Sequence, residues 1–547
     1  MKRLIKRDLL IFSIFMVTVA FCAIVYELLI ADVLSYLLGD SVLYFSITIG
    51  LFLSSMGIGS FISYKIADMH KRLTDTLILT ELLLGIVGGF SIFIIFLISS
   101  FSIVYYRTYP GSFLGSTIPL HIASFLIIIA IGVLVGLEIP LVTRIVTKKS
   151  GLKYSLATIL AADYIGSFIG SLLFPLLLLP FLGVIKTSFL IGMLNTTIIL
   201  LLLFFYKITY YRWYLAGIFL LLVILGSLFL QSNSIEYYFD KKLYTYDENS
   251  VIVERIQSPY QKIVLTKRKI GDNEFITLFL NGLSQFDSER DSTEYHELLV
   301  HPAFALAKDQ SSVLILGGGD GLPAKEVLRH LDVKRIVNVD IDPVIIKFSQ
   351  TNDLMKKHNN YSFLNQNIEL IAQDAFIYVK RSREKFDIIL LDFPEGNDVA
   401  LSKSYSLQFI RELEAHLKEG GIIVFHVDVF DSKIFYNVLK TLHVSGLHFI
   451  AMPQIGYGSF EEREISLNSE DAIIFVSRDA IDPDSFDQEA ILKYFTYKDS
   501  WKFSFLHRME ERDIIERLMF IRPNTIYRPN YLHYYRQDFF GEYDVGL

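Results

Sequence analysis

Cysteine is almost absent from this chain of 547 residues, because Cys22 is the only one. A single thiol excludes an intramolecular disulfide, and it excludes a metal cluster held by several thiolates. We predict no metal site elsewhere in the sequence. Cys22 itself lies within the first of several long apolar runs, which are the most abundant feature of the chain.

Apolar residues make up 52% of the sequence, more than an ordinary soluble protein of this length contains. A membrane-spanning helix needs about 20 consecutive apolar residues. The first apolar run has Tyr26, Glu27 and Asp32 where a small-residue cleavage site would stand, so we predict a retained helix rather than a signal peptide. Seven transmembrane helices are predicted in total, at 9–31, 41–64, 76–99, 118–141, 156–182, 186–206 and 213–230.

The basic residues between these spans predict a topology. Four Lys or Arg precede the first span, three follow the second, four follow the fourth and two follow the sixth, whereas the opposite short loops hold only Arg107 and Lys186. The positive-inside rule places the N-terminus in the cytoplasm of a multi-pass cell-membrane protein, and seven spans place the C-terminal part outside. If one span around 186–230 is miscounted, the C-terminal part faces the cytoplasm instead.

Charge is distributed unevenly along the chain. Residues 1–232 hold 15 Lys and Arg against 9 Asp and Glu, whereas the remaining residues hold 36 against 49. An acidic second half would attract polycations, and an acidic surface that keeps a domain soluble explains the same numbers.

Four acids fall in or near the predicted spans: Glu27, Glu81, Glu138 and Asp163. A charge at membrane depth is costly unless it is paired or faces water, so these acids are candidates for a function such as a cation path. The alternative is that each lies close enough to an interface to stay hydrated.

The second half alternates between strands and helices. Short runs at 250–256, 262–266 and 274–280 predict a small antiparallel sheet, and apolar runs at 312–316, 335–339, 368–371, 386–391 and 421–427 predict a parallel, doubly wound sheet. The predicted fold is therefore a transmembrane helical bundle (1–232), a small β-strand part (233–300) and a Rossmann-like α/β domain (301–547).

A glycine-rich turn, VLILGGGDG at 313–321, follows the first strand of the predicted parallel sheet. Glycines allow a ligand to lie against bare backbone, and Asp320 within the turn argues against an anionic ligand such as a dinucleotide. Asp340 ends the next strand at the spacing of a ribose partner, and Asp374 follows another strand. Helix capping explains Asp340, Asp342 and Asp374 as well. Together these acids predict a site for a neutral or cationic adenosine derivative.

The segments GGGDGLPAKEVL, VDIDP, QDAF, FDIILLDFPE and KSYSLQF, in this order, resemble the spermidine synthase (polyamine aminopropyltransferase) family. SPYQKIVL and NGLSQFDSERDSTEYHELLVHPAF are similar to its substrate-side signature, and YELLIADVLSYLLGDSVLYFSITIGLFLSSMGIGSFIS resembles its membrane-bound branch. The resemblance implies an enzyme that transfers the aminopropyl group of decarboxylated S-adenosylmethionine to putrescine or a related amine, giving spermidine and methylthioadenosine. It implies a co-substrate and no cofactor, a small-molecule amine and a lipid bilayer as partners, and no nucleic acid, and it leaves a homo-oligomer open.

The resemblance also implies residue roles. Asp392 would be the base that deprotonates the amine, assisted by Tyr295, and Asp320 would hold the aminopropyl ammonium and disfavour the carboxylate of S-adenosylmethionine. The implied donor-binding residues are Gln261, Gly317, Gly319, Asp320, Asp340, Asp374 and Ala375, and the implied acceptor-binding residues are Gln285, His296, Asp392 and Glu395.

The sequence departs from the family pattern on the acceptor side. Glu395-Gly396 stands where the membrane-bound branch usually has Asp-Pro, and the charged segment 461–471 follows an altered loop at 456–459. Two other functions are alternatives: a membrane-anchored methyltransferase that uses S-adenosylmethionine, and a polyamine transporter or sensor whose soluble half only binds. A methyltransferase has no aminopropyl ammonium for Asp320 to bind, which favours the aminopropyltransferase.

Overall fold

The structure of the chain is a computed structural model. It describes residues 2–38, 41–69, 73–109, 112–150, 152–245, 249–288, 292–393, 399–427, 432–453, 471–482, 491–496, 498, 504–506 and 508–531. The chain forms two compact units, Met1–Ile252 and Val253–Leu547, and each is described by itself.

The first unit is helical. Its long helices are α1 (Lys2–Leu38), α2 (Ser41–Met69), α3 (Leu73–Thr108), α4 (Ile118–Ser150), α5 (Leu152–Leu173), α6 (Leu179–Phe205) and α7 (Tyr211–Tyr244), with a π-helical turn, Phe174–Leu178, between α5 and α6. By length and composition, the described residues contain six helical stretches that are able to cross a membrane. The fifth stretch, Leu156–Phe205, contains both of the spans predicted at 156–182 and 186–206.

This fifth stretch turns at Gly183. It has 50 residues, about 75 Å of straight helix, whereas the apolar core of a bilayer is about 30 Å thick. Gly183 has a φ of 71°, outside the helical region. Thr187 Oγ1 donates to the Leu178 carbonyl oxygen at 3.3 Å, although nine residues of straight helix would separate them by roughly 13 Å. The predicted division between two spans falls at this turn, and the count of seven crossings stays a prediction.

Small residues allow the helices of this unit to pack closely. A side chain at Gly136 of α4 would overlap the Met56 carbonyl oxygen of α2. Pro140 of α4 cannot donate to the Gly136 carbonyl oxygen, and Ser60 Oγ of α2 donates to it instead at 2.9 Å. The α2–α4 contact therefore satisfies a carbonyl group that the proline leaves without its helical partner.

The acids predicted in the spans differ in burial. Glu81 is 0% exposed and Glu138 is 1% exposed, so both lie among the helices rather than at a hydrated interface. Glu27 is also buried, whereas Asp163 is partly exposed. The interfacial interpretation is therefore wrong for Glu81 and Glu138.

The second unit begins with a small four-stranded sheet of strand order β1–β2–β3–β4. Its strands are β1 (Ser250–Gln257), β2 (Lys262–Ile270), β3 (Asn273–Leu280) and β4 (Leu283–Asp287). The sequence analysis missed β4, although Asn281-Gly282, with φ of 48° and 90°, is a recognisable hairpin turn.

An eight-stranded sheet with helices forms the rest of the unit, in the order β12–β10–β11–β9–β8–β5–β6–β7. The strands β5 to β9 are parallel and β10 to β12 are antiparallel. Their bounds are β5 (Ser312–Gly317), β6 (Arg335–Asp340), β7 (Ile368–Ala372), β8 (Phe386–Asp392), β9 (Leu417–Val427), β10 (His448–Pro453), β11 (Ala472–Ser477) and β12 (Met509–Glu510). The helices are α8 (Ser292–Leu306), α9 (Leu322–Val327), α10 (Pro343–Thr351), α11 (Asp353–His358), α12 (Ala375–Arg381), α13 (Val399–Ser402), α14 (Leu407–Ala415), α15 (Lys433–Ser445) and α16 (Glu511–Leu518).

Apolar side chains cover both faces of the large sheet. One core packs α12, α14 and α15 against it, and the other packs α8 and α9. Strands buried on both faces read as continuous apolar runs, which is why β5, β6, β8 and β9 were predictable. The predicted fold class is confirmed.

Candidate active site

The carboxyl ends of three parallel strands lie side by side at one edge of the large sheet. Strands β5, β6 and β8 end at Gly317, Asp340 and Asp392, and Gly317 stands opposite Asp392 in the β5–β8 pairing. Ligands of open α/β sheets bind at this edge. The predicted glycine loop and two of the predicted acids therefore meet where a ligand is expected.

The glycine loop needs residues without a side chain. Gly317 and Gly318 have φ of 91° and 64°, and a side chain at Gly317 would overlap the Asp392 carbonyl oxygen. The Gly318 N–H donates to that oxygen at 3.2 Å, and the Gly319 N–H donates to Asp340 Oδ2 at 3.0 Å. The loop thus presents bare backbone beside two acids.

Asp340 and Asp342 form the end of β6 and the start of α10. Asp340 Oδ1 accepts from the Asp342 N–H at 2.8 Å, and burial raises the pKa of Asp340 to about 6 although its backbone hydrogen bonds oppose the rise. Asp342 caps α10 by accepting from the Val344 N–H at 2.9 Å. Its Oδ2 also accepts from Gln261 Nε2 at 2.9 Å. The interpretation of Asp342 as a helix cap is therefore confirmed. Its second carboxylate oxygen also connects Gln261 to the acids at the strand ends.

Tyr295, His296, Asp320 and Asp392 converge beside the loop. The Tyr295 hydroxyl donates to Asp392 Oδ1 at 2.5 Å, and His296 Nε2 lies 3.9 Å from Asp392 Oδ2. Asp320 Oδ1 accepts from the Leu322 N–H at 2.9 Å, which orients its carboxyl at the start of α9. The first turns of α8 supply Tyr295 and His296, so two helices and one strand build the cluster.

Burial dominates the electrostatics of this cluster. It raises the pKa of Asp320 to about 6, and among the smaller influences His296 lowers this pKa and Asp392 raises it. The pKa of Tyr295 is raised well above its ordinary value, first by burial and then by Asp392. Tyr295 consequently stays protonated and remains a donor to the Asp392 carboxylate.

The cluster is suited to a cation. His296, Asp320 and Asp392 each offer one atom, and these three atoms lie within 4.8 Å of one another. Two carboxylate oxygens and an imidazole nitrogen suit either a small metal ion or an alkylammonium group. The arrangement can therefore hold a positive group and accept a proton from it.

Asp374 caps a helix, as its place in the sequence allowed, and it has a second partner that was not predicted. Its Oδ1 accepts from the Ile377 N–H at 3.1 Å and caps α12, which begins at Ala375, while its Oδ2 accepts from Lys403 Nζ at 2.8 Å. Burial would raise the pKa of Asp374, but the hydrogen bond and charge of Lys403 and the backbone hydrogen bonds at the start of α12 together outweigh burial, and the pKa is lowered. Lys403 is the first residue of the segment KSYSLQF, and the resemblance of this segment to the family was the one signal in the sequence that pointed to Lys403.

Two predicted acceptor-binding residues remain, Gln285 and Glu395, and the structure describes only the first. Gln285 lies on β4, where Leu278 pairs with Phe286 and Phe279 pairs with Ser284. Gln285 is thus the extra residue of a β-bulge, a device that redirects a side chain. Glu395 lies outside the described residues.

A further residue contacts the cluster from β9. The ring of His426 meets the ring of Tyr295 edge to face at 4.9 Å between centroids, and His426 Nε2 lies 3.3 Å from Asp471 Oδ2. The Tyr405 hydroxyl donates to the His426 carbonyl oxygen at 3.0 Å. The sequence analysis missed His426, although its place near the end of the strand beside β8 was a usable signal.

A buried polar network supports the two helices that carry the cluster. His301 of α8 hydrogen-bonds His330 through Nδ1 at 2.9 Å and Glu326 of α9 through Nε2 at 3.2 Å, and Arg329 donates to Glu326 at 2.6 Å. Burial would raise the pKa of Glu326, but its partners lower it to about 2, and burial lowers the pKa of His330 to about 3. The network joins the helix of Tyr295 to the helix that follows Asp320.

We expect Glu326→Gln to lower the free energy of unfolding by about 1–3 kcal/mol, because the amide has one acceptor oxygen instead of two and lacks the charge that His301 and Arg329 face. Thermal unfolding of the full chain in detergent measures this change. Glu384→Gln is the matched control, since Glu384 pairs with Arg335 on the surface, where an ion pair contributes about 0–1 kcal/mol. Equal midpoints for the two variants would contradict the expectation.

The strand-end acids, the glycine loop and the phenol–carboxylate pair lie together at the strand ends of an α/β domain, where enzymes of this architecture place their active sites. Residues 292–451 match the spermine/spermidine synthase domain family. The polyamine aminopropyltransferase of Leptospira interrogans is 39% identical over 406 residues, 74% of this chain and 76% of that protein. Polyamine aminopropyltransferase 2 of Aquifex aeolicus is 33% identical over 517 residues, 94% of this chain and 96% of that protein.

Among solved structures, the spermidine synthase from Thermotoga maritima aligns with a TM-score of 0.38 at 21% identity, covering 49% of this chain and 87% of that chain. The curated relatives show that the chain belongs to the polyamine aminopropyltransferase family. It is an aminopropyltransferase, and the aminopropyl donor of this family, decarboxylated S-adenosylmethionine, is a co-substrate rather than a bound cofactor.

Proposed function

We propose that the chain is a membrane-bound aminopropyltransferase that converts putrescine or a related diamine and decarboxylated S-adenosylmethionine into spermidine, or its analogue, and methylthioadenosine. The observation that carries this proposal is the Tyr295–Asp392 hydrogen bond at 2.5 Å beside His296 and Asp320. This arrangement supplies the Asp392 carboxylate for the attacking amine and the Asp320 carboxylate for the ammonium group of the donor.

The reaction is a displacement at carbon. The amine nitrogen forms a bond to the aminopropyl carbon next to the sulfonium, the carbon–sulfur bond breaks, and its electron pair turns the sulfonium into the thioether of methylthioadenosine. An alkylammonium has a pKa of about 10.4, so the amine arrives protonated and cannot attack. Asp392 accepts the proton, and Tyr295 keeps the carboxylate oriented while it does so.

Asp320 selects the donor in this proposal. Its carboxylate would pair with the ammonium at the end of the aminopropyl group, whereas the carboxylate of S-adenosylmethionine would meet a like charge there. Gly317 and Gly319 would face the nucleoside, and Asp340 would accept from the ribose hydroxyls. Gln261, Asp374 and Ala375 complete the proposed donor site, with Lys403 setting the charge of Asp374.

Acceptor binding is assigned to Gln285, His296, Asp392 and Glu395, in keeping with the resemblance. The bulge at Gln285 and the proximity of His296 to Asp392 support the first three. The methyltransferase alternative loses its basis, since the curated relatives are aminopropyltransferases.

The membrane location is supported by the six apolar helical stretches. We assign residues 1–232 to the bundle, 233–300 to the small β part and 301–547 to the catalytic α/β part, with α7 of the bundle continuing to Tyr244 before the first strand begins. The basic loops favour a cytoplasmic N-terminus. Cysteines introduced into the loops and into the catalytic part, and labelled in intact cells with a reagent that does not cross the membrane, would test on which side each of them lies.

The direct test of the function uses the detergent-purified full chain, incubated with decarboxylated S-adenosylmethionine and a panel of diamines and polyamines. Mass spectrometry should detect methylthioadenosine and one aminopropylated amine in equal amounts. S-adenosylmethionine in place of the decarboxylated donor is the control, and transfer of a methyl group to any amine would contradict the proposal.

The raised pKa of Asp320 predicts a pH dependence of donor binding. Because the pKa is about 6 in the free protein, Asp320 loses its charge as the pH falls through 6, and the affinity for the donor's ammonium is lost with it. The dissociation constant should then rise toward tenfold per pH unit below 6. Methylthioadenosine lacks the aminopropyl group and would not contact Asp320. The dissociation constant of the donor divided by that of methylthioadenosine, both measured by calorimetry, therefore separates the titration of Asp320 from that of Asp340.

In the Asp320→Asn variant this ratio should not change between pH 7.5 and 5, because the amide does not titrate over that range. A ratio that is already constant in the unmodified protein would refute the assignment of Asp320 to the ammonium.

A further inference from the structure

Several buried oxygen atoms in the helical bundle have no hydrogen-bond partner within the described part of the chain, and five of these belong to two acids, an amide and a phenol on four different helices. They are Glu81 Oε1 and Oε2, Glu138 Oε1, Tyr26 Oη and Asn195 Oδ1. The four side chains come from α3, α4, α1 and α6, and none is more than 1% exposed. Buried polar atoms are nearly always paired in folded proteins, so a group of five unpaired oxygens indicates a missing occupant.

The four side chains lie on α3 and on three helices that pack against it. Asn195 Nδ2 donates to the Glu81 carbonyl oxygen at 3.0 Å, which holds the amide against α3. The carboxyls of Glu81 and Glu138 lie beside each other, and the Asn195 side chain lies beside the Glu81 carboxyl. The Tyr26 ring lies against Gly88, where any side chain on α3 would overlap it. The two carboxyls and the amide therefore meet where α3, α4 and α6 pack together, and Tyr26 of α1 packs against the same helix α3.

The cluster lies well inside the bundle. Glu81 is about 12 Å along α3 from its first residue, and Glu138 is about 18 Å along α4 from its last. Within the described residues neither carboxyl takes part in an ion pair, and a charge at such depth is costly unless it is neutralised. A single proton shared by the two carboxyls leaves one negative charge on the pair, which a monovalent cation bound beside them would neutralise.

The chemistry of the five atoms favours a cation. All are oxygens, from two carboxyls, an amide and a phenol, and the phenol is the one hydrogen-bond donor among them when the carboxyls are charged. Oxygen ligands of this kind suit hard cations, and they suit an ammonium group, which offers three N–H donors.

We propose that Tyr26, Glu81, Glu138 and Asn195 form a binding site for one monovalent cation within the helical bundle, separate from the aminopropyltransferase site. Two sources share this chemistry, an alkali ion such as sodium and the ammonium end of a diamine. The inference does not depend on the proposed substrates, because it stands on the bundle alone.

Cys22 supplies the measurement. It is the only cysteine of the chain, it is 0% exposed, and its Sγ donates to the Ile191 carbonyl oxygen at 3.9 Å, one turn of α6 before Asn195. A thiol-reactive fluorophore added to the full chain in detergent therefore reports the temperature at which this region of the bundle opens. We compare sodium chloride, putrescine and choline chloride at constant ionic strength, choline being a cation without an N–H donor.

Sodium or putrescine, but not choline, should raise the opening temperature by roughly 4 °C or more at saturating concentration. The shift should disappear in Glu81→Gln and in Glu138→Gln, which keep the side-chain shape. It should remain in Glu27→Gln, the matched control, since Glu27 is a buried acid next to Tyr26 that faces about 100° away around α1. A shift with sodium alone identifies the ligand as an alkali ion, and a shift with putrescine alone identifies it as the ammonium end of a diamine.

Three results would overturn the proposal. The first is an opening temperature that responds to pH alone, which would mean that the carboxyls bind only protons. The second is an equal response to choline, and the third is a shift that survives in both Gln variants. If a Gln variant fails to fold, Tyr26→Phe replaces it, and an undiminished shift there counts against the site. Methylthioadenosine formation, measured in parallel, keeps the outcome distinct from that of the proposed function.

Discussion

We expect Asp392→Asn to reduce the rate of aminopropyl transfer by about 100-fold or more. The amide keeps the size of the carboxyl and can still accept from the Tyr295 hydroxyl, which lies 2.5 Å from Asp392 Oδ1. It cannot take the proton of the attacking ammonium, so the nucleophile remains protonated. Single-turnover formation of methylthioadenosine, followed by mass spectrometry, measures the chemical step without product release.

The pH dependence distinguishes a lost base from a distorted site. Without the base, reaction depends on the small fraction of amine that is already neutral, so the rate of the variant should climb with pH toward the pKa of the amine, about 10.4. The unmodified protein should depend less steeply on pH over that range. A variant that is slow at every pH would point to misplacement of the amine rather than to loss of the base.

Asp387→Asn is the matched control, because Asp387 lies on the same strand at the opposite end from Asp392. Its carboxylate accepts from Ser311, Ser312 and Lys418 and supports the start of β5. This change should lower stability and leave the rate per folded molecule within about twofold. If Asp392→Asn were no slower than Asp387→Asn, Asp392 would not be the base.

The sequence predicted the strand-end residues well because parallel strands buried on both faces have a distinctive composition. Five apolar runs gave β5 to β9, and the residues that end three of them, Gly317, Asp340 and Asp392, necessarily meet at one edge of the sheet. The glycine spacing added the loop between them. Local composition and the rule for parallel strands therefore determine most of the donor side.

Residues that reach the site by tertiary contact could not be predicted in this way. Lys403 pairs with Asp374 across 29 positions, and His426 meets Tyr295 across more than 130. Lys403 stands in the segment KSYSLQF and His426 near the end of a strand, but neither position tells which side chain it will meet. The same holds for the contact between His301 and Glu326, which links two helices.

The membrane part shows a different limit. Hydropathy located the apolar stretches, and the division that it predicted between 156–182 and 186–206 falls at the Gly183 turn. It gave no measure of burial, so Glu81 and Glu138 were indistinguishable from Glu27 and Asp163. Which acids face one another depends on the rotation of each helix, which packing decides.

The second large effect is expected at Gly319, where an added methyl group would lie 2.6 Å from Asp340 Oδ2 and 2.7 Å from the Cγ2 of Ile345. Gly319 has no positive φ, so alanine is compatible with the backbone and the damage comes from this contact. Asp340 must move away from the position proposed for the ribose, and the methyl group also fills space against which the nucleoside would lie. We expect Gly319→Ala to weaken methylthioadenosine binding by about 100-fold, which corresponds to roughly 2.7 kcal/mol.

Calorimetry with methylthioadenosine measures this loss, and Gly271→Ala separates it from general strain. Gly271 has a φ of 60° in the β2–β3 turn and open space around it, so alanine there costs about 1–2 kcal/mol of stability without touching the loop. That control should bind methylthioadenosine as the unmodified protein does, even though it unfolds at a lower temperature. Binding by Gly319→Ala within threefold of the unmodified protein would mean that the nucleoside does not lie against the loop, and the donor site would have to be sought elsewhere on the strand ends.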